Sequence, residues 1–342
     1  RTGLEFAGVD GRLSLLNGLF AQRRNLLSPS YLGMLLDIVR FNSLAVADVE
    51  DGRIDPHMNL RDYVQHHGLG KQFTEFYLIP MASAIWSTPF AQMYDFPMRF
   101  MLAFMYRHGL LSVSKRPKWR TIVGGSSSYL GPLSAGFADR IRLRTPVARV
   151  ERFEEHVLIH SQCDGQAQSE RYDQVIFACH ADQALRLLDD ATPEERRLLG
   201  EFKYQRNLAT LHTDAAVMPR TRRAWASWNY RITRGAEDRP SPSTIYWMNR
   251  LQGVSERENY FVSINAEEEI APERVLKRIE YHHPLFSLGA IRAQAELPRL
   301  NQRSPSPAVY FCGSYFKYGF HEDAFTSALD LCRVLTGDRL WE

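Results

Sequence analysis

The stretch YFCGSYFKYGFHEDAFTSAL, Tyr310 to Leu329, joins two different local patterns. Ala308, Val309, Tyr310, Phe311 and Cys312 form an unbroken apolar run, the pattern of a buried strand. From His321 the spacing becomes helical, with Glu322 and Asp323 in the first turn. Between the two stand Gly313 and Gly319. A glycine lets backbone approach a neighbour closely or turn sharply. A helix N-terminus placed beyond the carboxyl end of a strand offers unpaired N–H groups and positive potential to an anion. The alternative is that the glycines only end the strand and the acids only complement the helix dipole.

Upstream, WRTIVGGSSSYLGPLSAGF, residues 119–137, predicts a strand, a turn at Gly124-Gly125-Ser126 and a short helix. In the segment that follows, Val147, Val150 and Phe153 and then Val157 and Ile159 alternate about Glu154-Glu155, which predicts a hairpin. YDQVIFACHADQALRLL, residues 172–188, predicts a strand with a continuous apolar core, Val175 to Ala178, feeding a helix. A strand of that kind suits a parallel or mixed sheet covered on both faces. Four further strand candidates, rich in aromatic and β-branched residues, lie in NLATLHTDAAVM, RAWASWNY, STIYWMNRL and NYFVSINAE, with helical segments flanking them. His212 and Asp214 are two apart on one of these, hence on one face, as a structural hydrogen-bonded pair or a proton relay.

Residues 13–111 read as helical. Leu32, Met34, Leu35, Ile38, Val39 and Phe41 recur at helix spacing; Tyr63, Phe73, Phe76 and Tyr77 lie in a stretch ending near Pro80; Phe100, Met101, Phe104 and Met105 line a third helix. Such soft apolar groups build a core or wall an apolar pocket. The chain therefore divides into a mainly helical part, 1–118, a sheet segment, 119–190, a second sheet, 191–300, and a closing strand and helix, 301–342. The pattern is α/β of the α+β kind, two domains each built from discontinuous stretches.

Composition excludes several classes. The 342 residues carry a net charge of +3, with no Lys/Arg block of the kind that tracks phosphates, so no nucleic-acid partner is expected. The clusters at Lys115–Arg120 and Pro219–Arg223 read as solvated loops or as contacts to anionic lipid. Cys163, Cys179, Cys312 and Cys332 form no CxxC pair, and Cys179 and Cys312 end apolar runs, as buried thiols of a reducing compartment. No His/Cys cluster predicts a metal site, and no run reaches the roughly 20 apolar residues of a membrane span.

YFCGSYFKYGFHEDAFTSAL resembles the C-terminal flavin segment of the FAD-dependent amine oxidase and phytoene-desaturase superfamily. GGSSSYLGPL resembles that family's GG turn, and TPVARVER with YDQVIFACHA its hairpin and following strand. LNGLFAQRRNLL, AIWSTP, RRAWASWNY and YWMNRLQ resemble the bacterial subgroup often encoded beside cyclopropane-fatty-acyl-phospholipid synthases. The resemblance implies a Rossmann-like FAD-binding domain interleaved with a substrate domain, and FAD as cofactor. It implies that Gly124 and Gly125 form the cofactor-domain turn and that Val147 meets the adenine through its backbone. It sets Ala178, Cys179 and His180 near the pyrophosphate, Gly313 and Ser314 along the ribityl chain, and Gly319, Phe320 and His321 before the pyrimidine ring. Positive helix-end potential there would stabilise the charge of reduced flavin.

Two departures stand out. No G-x-G-x-x-G occurs, so a fragment or truncated product is expected, lacking at least one βαβ unit of roughly 30 residues, with FAD bound weakly or not at all and an exposed sheet edge. The lysine typical beside flavin N5 is replaced by Asn207 or Leu208, and the C-terminal turn carries Tyr315, Phe316 and Tyr318 rather than tryptophan. The expected activity is therefore flavin-dependent hydride abstraction from an apolar substrate such as a lipid acyl chain, at a cytoplasmic or membrane-peripheral location, linked to a cyclopropane-fatty-acid synthase. A small-amine oxidase and a non-catalytic partner subunit are the alternatives. Trp86, Ser87, Tyr246 and Trp247 are the candidate pocket residues.

Overall fold

The structure, a computed structural model, describes residues 4–7, 17–112, 120–234, 240–266, 269–302 and 308–337. Lys115–Trp119, part of one basic cluster and the start of the expected strand, lie outside them. In chain order the helices are α1 (Pro29–Glu50), α2 (Leu60–His66), α3 (Lys71–Phe73), α4 (Ile79–Trp86), α5 (Met98–Arg107), α6 (Leu130–Ser134), α7 (Ala181–Leu187), α8 (Pro193–Leu199), α9 (Met248–Gln252), α10 (Leu288–Glu296), α11 (Pro298–Gln302) and α12 (His321–Thr336). The strands are β1 (Val147–Arg152), β2 (Val157–Cys163), β3 (Gln166–Tyr172), β4 (Gln174–Phe177), β5 (Lys203–His212), β6 (Trp228–Arg234), β7 (Pro240–Trp247), β8 (Phe261–Ile264), β9 (Val275–Leu285) and β10 (Ala308–Phe311).

The chain forms two compact units, residues 1–129 with 205–283, and 130–204 with 284–342. The sequence divides it instead at 118/119, 190/191 and 300/301. The difference has a physical cause. Leu198, Leu199, Ala290, Ala293 and Leu297, on α8 and α10, bury their apolar faces in the core of the second unit rather than against the five-stranded sheet.

In the first unit, Ser28 caps α1 by accepting the Tyr31 N–H, and Pro29 supplies a preset first-turn φ. Met34 and Phe41 of α1 are buried, whereas Leu32, Leu36 and Val39 face solvent, so the apolar stripe is wider than the core it meets. Phe41 packs on Tyr63 and Phe73 at 6.2 and 5.1 Å between ring centres. Pro80 does not end its helix. Thr74–Leu78 form a π turn in which Ile79 donates to the Thr74 carbonyl, and α4 then continues through Pro80 to Trp86. Proline has no N–H and would clash with the carbonyl four residues earlier. The wider turn resolves both demands, and such turns recur at functional sites.

The sheet of this unit has the order β6-β7-β8-β5-β9. The pairings within β6-β7-β8-β5 are antiparallel and set Tyr230, Thr244, Ile264 and Ala209 in one row across four strands. The next row, Asn229, Ile245, Ser263 and Thr210, points to the opposite face, where Ile245 and Phe261 join a buried cluster with Val217 and Ile270. All four strand candidates are strands, and β9 adds a fifth where helix had been expected.

In the second unit, β1, β2 and β3 form an antiparallel sheet, the predicted hairpin plus the additional strand β3. A bulge lies between Val147 and Arg149. β4 and β10 pair in parallel, with Phe177 opposite Phe311 and their rings stacked at 5.6 Å. The outer edge of β10 is capped by a side chain: buried Asn301 accepts the Phe311 N–H and donates to its carbonyl, both at 2.8 Å. Ile176 is 47% exposed, so β4 is covered on one face, not two. No strand forms at Arg120–Val123, where β-branched residues find no pairing partner among the described residues. Helices and open sheets together make the α/β architecture, of the α+β kind, that the sequence implied.

Candidate functional site

The parallel pairing of β4 with β10 brings two loops together at the carboxyl ends of both strands. Cys312 extends the ladder by donating its N–H to the Phe177 carbonyl at 3.0 Å. Beyond it the chain enters Gly313, with φ +156° and ψ 170°. A Cβ here would stand 2.7 Å from the Tyr315 ring and 3.3 Å from the Cys179 carbonyl oxygen. A side chain here would clash with the Tyr315 ring of the same turn and crowd the Cys179 carbonyl of the other loop, so glycine suits the position. The Gly313 N–H is taken by Ser327 Oγ at 2.8 Å, which in turn donates to the Ala324 carbonyl at 2.7 Å. That pair locks the turn to α12. Gln294 holds the far side, donating to the Tyr315 and Lys317 carbonyls at 2.8 and 2.5 Å.

The turn closes at Gly319, with φ +96° and a Phe286 ring 3.3 Å from where a Cβ would sit. α12 then begins. Its first-turn acid Asp323 accepts the Phe320 N–H at 3.0 Å, so one carboxylate complements the helix N-terminus, as the alternative reading of the sequence held. Phe320 and His321 are exposed at that end. Tyr315 is buried beneath, packed on Phe202 and Phe316, with no partner for its hydroxyl; burial pushes that hydroxyl well above the usual phenol range.

The other loop, Ala178–Cys179–His180, leads into α7. The His180 ring stacks on Tyr204 at 4.3 Å, and the Tyr204 hydroxyl accepts the Ala181 N–H at 3.0 Å. Gln183 Oε1 accepts the His180 N–H at 3.3 Å. The start of α7 is therefore capped by the chain's own side chains. Burial raises the thiol pKa of both Cys179 and Cys312. Val147 lies on β1 opposite Ser161, beside the bulge. Gly124 and Gly125 both have φ +82°, and the Gly125 N–H bonds the Ile122 carbonyl at 3.0 Å. These two glycines belong to the first unit, unlike the strand-end loops.

The first unit holds a separate cavity of about 260 Å³ on one face of its sheet. Its floor is the cross-strand row of Tyr230, Thr244 and Ile264, with Pro242 beside them; the end of α4 and the residues after it supply Ser83, Ser87, Thr88 and Pro89. Asn207 and Asn265 complete it. Asn265 donates to Asn207 Oδ1 at 2.8 Å, Asn207 Nδ2 donates to His283 Nδ1 at 2.9 Å, and Leu208 donates its N–H to Asn265 Oδ1 at 2.9 Å. Ser83 Oγ, Thr88 Oγ1 and the Tyr230 hydroxyl are buried without partners of good geometry. Ser87 and Asn265 are left-handed, with φ +53° and +55°.

Of the pocket residues predicted, Ser87 lines this cavity. Trp86 instead packs into the helical core, 4.7 Å from Phe96 and 5.0 Å from Phe104. Tyr246 and Trp247 are adjacent on β7 and so point to opposite faces. Tyr246 lies on the cavity's side, its hydroxyl 3.4 Å from the Ala84 carbonyl, while Trp247 meets Trp225 and Asn259 on the other. His212 is structural: its Nδ1 accepts the Asp214 N–H at 3.1 Å and its Nε2 meets Ser263 Oγ at 2.8 Å. The Asp214 carboxylate accepts the Ala216 and Ala271 N–H groups, and these bonds hold it ionised below the usual range. Sequence reasoning missed Ser83, Thr88 and Tyr230, which share no local motif. Among the described residues no group of His, Cys, Asp and Glu is placed to hold a metal, and no helix is long and apolar enough to cross a membrane.

No family model and no curated protein matches the chain. Solved structures do resemble it. A putrescine oxidase double mutant shares 12% identity over 88% of this chain and 75% of its own, with a TM-score of 0.61. A CLA-producing fatty acid isomerase from P. acnes shares 11% over 90% and 76%, with a TM-score of 0.58. Cyclohexylamine oxidase from Brevibacterium oxydans shares 12% over 82% and 68%, with a TM-score of 0.50. The fold is that of the FAD-binding amine oxidases.

Proposed function

We propose that the chain is an FAD-dependent oxidoreductase acting on an apolar substrate, with lipid acyl chains the substrate class. The second unit takes the role of cofactor domain and the first that of substrate domain. One observation carries the reading: parallel β4 and β10 end side by side, and the loops beyond them touch at Gly313, where no side chain fits. In open α/β sheets such strand-end crevices hold dinucleotides.

The residues suit FAD best along Gly313–His321. Gly313 and Ser314 would carry the ribityl chain on close-approaching backbone, and the start of α12 at Phe320 and His321 would face the pyrimidine ring. The fit is poorer at α7, whose Ala181 N–H is already held by Tyr204. When bound, FAD would supply a hydride acceptor, so the protein needs no strong acid or base at the reacting carbon. The chain's own residues then have three tasks: to hold the turn, to orient the substrate and to exclude water.

An apolar substrate is favoured over an amine by the first unit's cavity, whose lining includes no carboxylate. Asn207, at the place where the resemblance puts a lysine, is buried and engaged with Asn265 and His283. A membrane-peripheral site of action and a working link to a cyclopropane-fatty-acid synthase belong to the same proposal.

The test is uptake of FAD by the full chain, followed anaerobically by visible absorbance. Bleaching by vesicles of unsaturated phosphatidylcholine but not by putrescine supports the reading. Bleaching by putrescine alone returns the protein to amine oxidation, and absence of flavin uptake removes the oxidoreductase reading.

A further inference from the structure

The cavity of the first unit combines three properties. It contains buried hydroxyls that are unmatched or poorly matched. Ser83 is 3% exposed and Thr88 5%; Thr88 Oγ1 has no hydrogen-bond partner, and Ser83 Oγ and the Tyr230 hydroxyl have only each other, without good geometry. A buried polar group left unpaired is destabilising. One unmatched hydroxyl and one poorly matched pair in a single cavity leave hydrogen-bonding capacity that an incoming polar group would satisfy.

The backbone at the rim is strained as well. Ser87, a lining residue, is left-handed with φ +53° and ψ +27° at the end of α4, a place where glycine is the usual occupant. Its neighbour Thr88 carries the unmatched hydroxyl. A non-glycine residue held in this region marks a site where structure over-determines conformation. The π turn just before α4 displaces the helix that carries Ser83, so the same helix bears two irregularities, one at each end.

The third property is neutrality. The lining side chains are hydroxyls, carboxamides, prolines and one isoleucine; none is ionised at neutral pH, and burial pushes the Tyr230 hydroxyl further up, to about 12. An ammonium or carboxylate entering this cavity would lose hydration without gaining a counter-charge, which disfavours it. A hydroxyl, carbonyl or carboxamide would meet donors and acceptors of matching strength. The apolar side, Pro89, Pro242 and Ile264, offers room for a short hydrocarbon stem.

We infer that this cavity binds the uncharged, hydrogen-bonding group of an otherwise aliphatic ligand, through Ser83, Thr88 and Tyr230. The site discriminates against charged head groups. The inference deepens the oxidoreductase reading, on which its identification as a substrate site rests, but the binding itself needs no flavin.

The experiment measures binding of four six-carbon probes to the full chain by calorimetry: hexan-1-ol, hexanamide, hexylamine and hexanoate. FAD uptake is recorded on the same preparation. The alcohol or the amide should bind at least about tenfold more tightly than the amine and the acid. Thr88→Val and Tyr230→Phe should each weaken that binding about tenfold, with the melting temperature held or raised in Thr88→Val because a buried unpaired hydroxyl has been removed. Preference for hexylamine or hexanoate overturns the inference, as does binding of no probe or binding indifferent to both substitutions. Probe binding without FAD uptake would sink the oxidoreductase reading while this inference stands. FAD uptake with preference for the amine would do the reverse.

Discussion

Tyr204 accepts the Ala181 N–H at 3.0 Å while its ring stacks on His180 at 4.3 Å, so one tyrosine both caps α7 and fixes the loop after β4. The consequence is a division of labour between the two strand-end loops. The β4 loop is held by side chains, and the β10 loop is held by backbone that requires glycine.

Tyr204→Phe removes the hydroxyl and leaves a helix N–H unpaired while keeping the stack. It should lower unfolding free energy by about 1–2 kcal/mol in a urea titration. Retention of full stability would show that solvent replaces the hydroxyl and that the cap contributes nothing.

Ser87→Gly should stabilise the protein by about 1 kcal/mol, since the left-handed conformation costs an L-residue roughly that amount. Thermal unfolding reads the change directly. A loss of stability would mean that the Ser87 side chain makes a compensating contact.

His212 is buried and neutral, and burial lowers its pKa from the model-compound value of 6.5. The unfolded chain therefore binds this proton more readily than the folded one. The contribution is complete above about pH 6.5 and falls as the pH drops through the folded value, with a slope of up to about 1.4 kcal/mol per pH unit. Replacement by Gln should flatten that part of the stability profile. An unchanged profile would place the acid sensitivity elsewhere.

Trp86 sits among Phe96, Phe100 and Phe104 with its indole N–H unpaired. Trp86→Ala should cost about 3–5 kcal/mol through the cavity it leaves. Trp86→Phe should cost far less, because the lost volume is offset by removing a buried unmatched donor. Equal effects of the two in denaturant titration would contradict that account.

Where a strand has one buried face, its residues announce it: Phe261 and Ser263 are buried and Val262 and Ile264 less so, and β8 was legible. β9, with Lys277, Arg278 and Glu280 exposed on an edge, and β3, nearly all polar, carry no apolar alternation and were not. Pro80 misled because proline punctuation is local, whereas the π turn that absorbs it depends on the carbonyl geometry of the preceding turn. Gly313 could be singled out because a glycine between an apolar strand and a helix has few uses. The cavity could not, since Ser83, Thr88, Asn207 and Tyr230 meet only through the pairing register of the sheet and the end of α4. Parity alone would have separated Tyr246 from Trp247.

The most direct test of the central claim is a titration of the full chain with FAD, read by flavin fluorescence and visible absorbance, beside the Gly313→Ala variant. The account predicts saturable one-to-one uptake by the parent chain. It predicts at least tenfold weaker uptake by the variant, with far-ultraviolet circular dichroism confirming that the variant is folded. No uptake by the parent, or equal uptake by both, would contradict it.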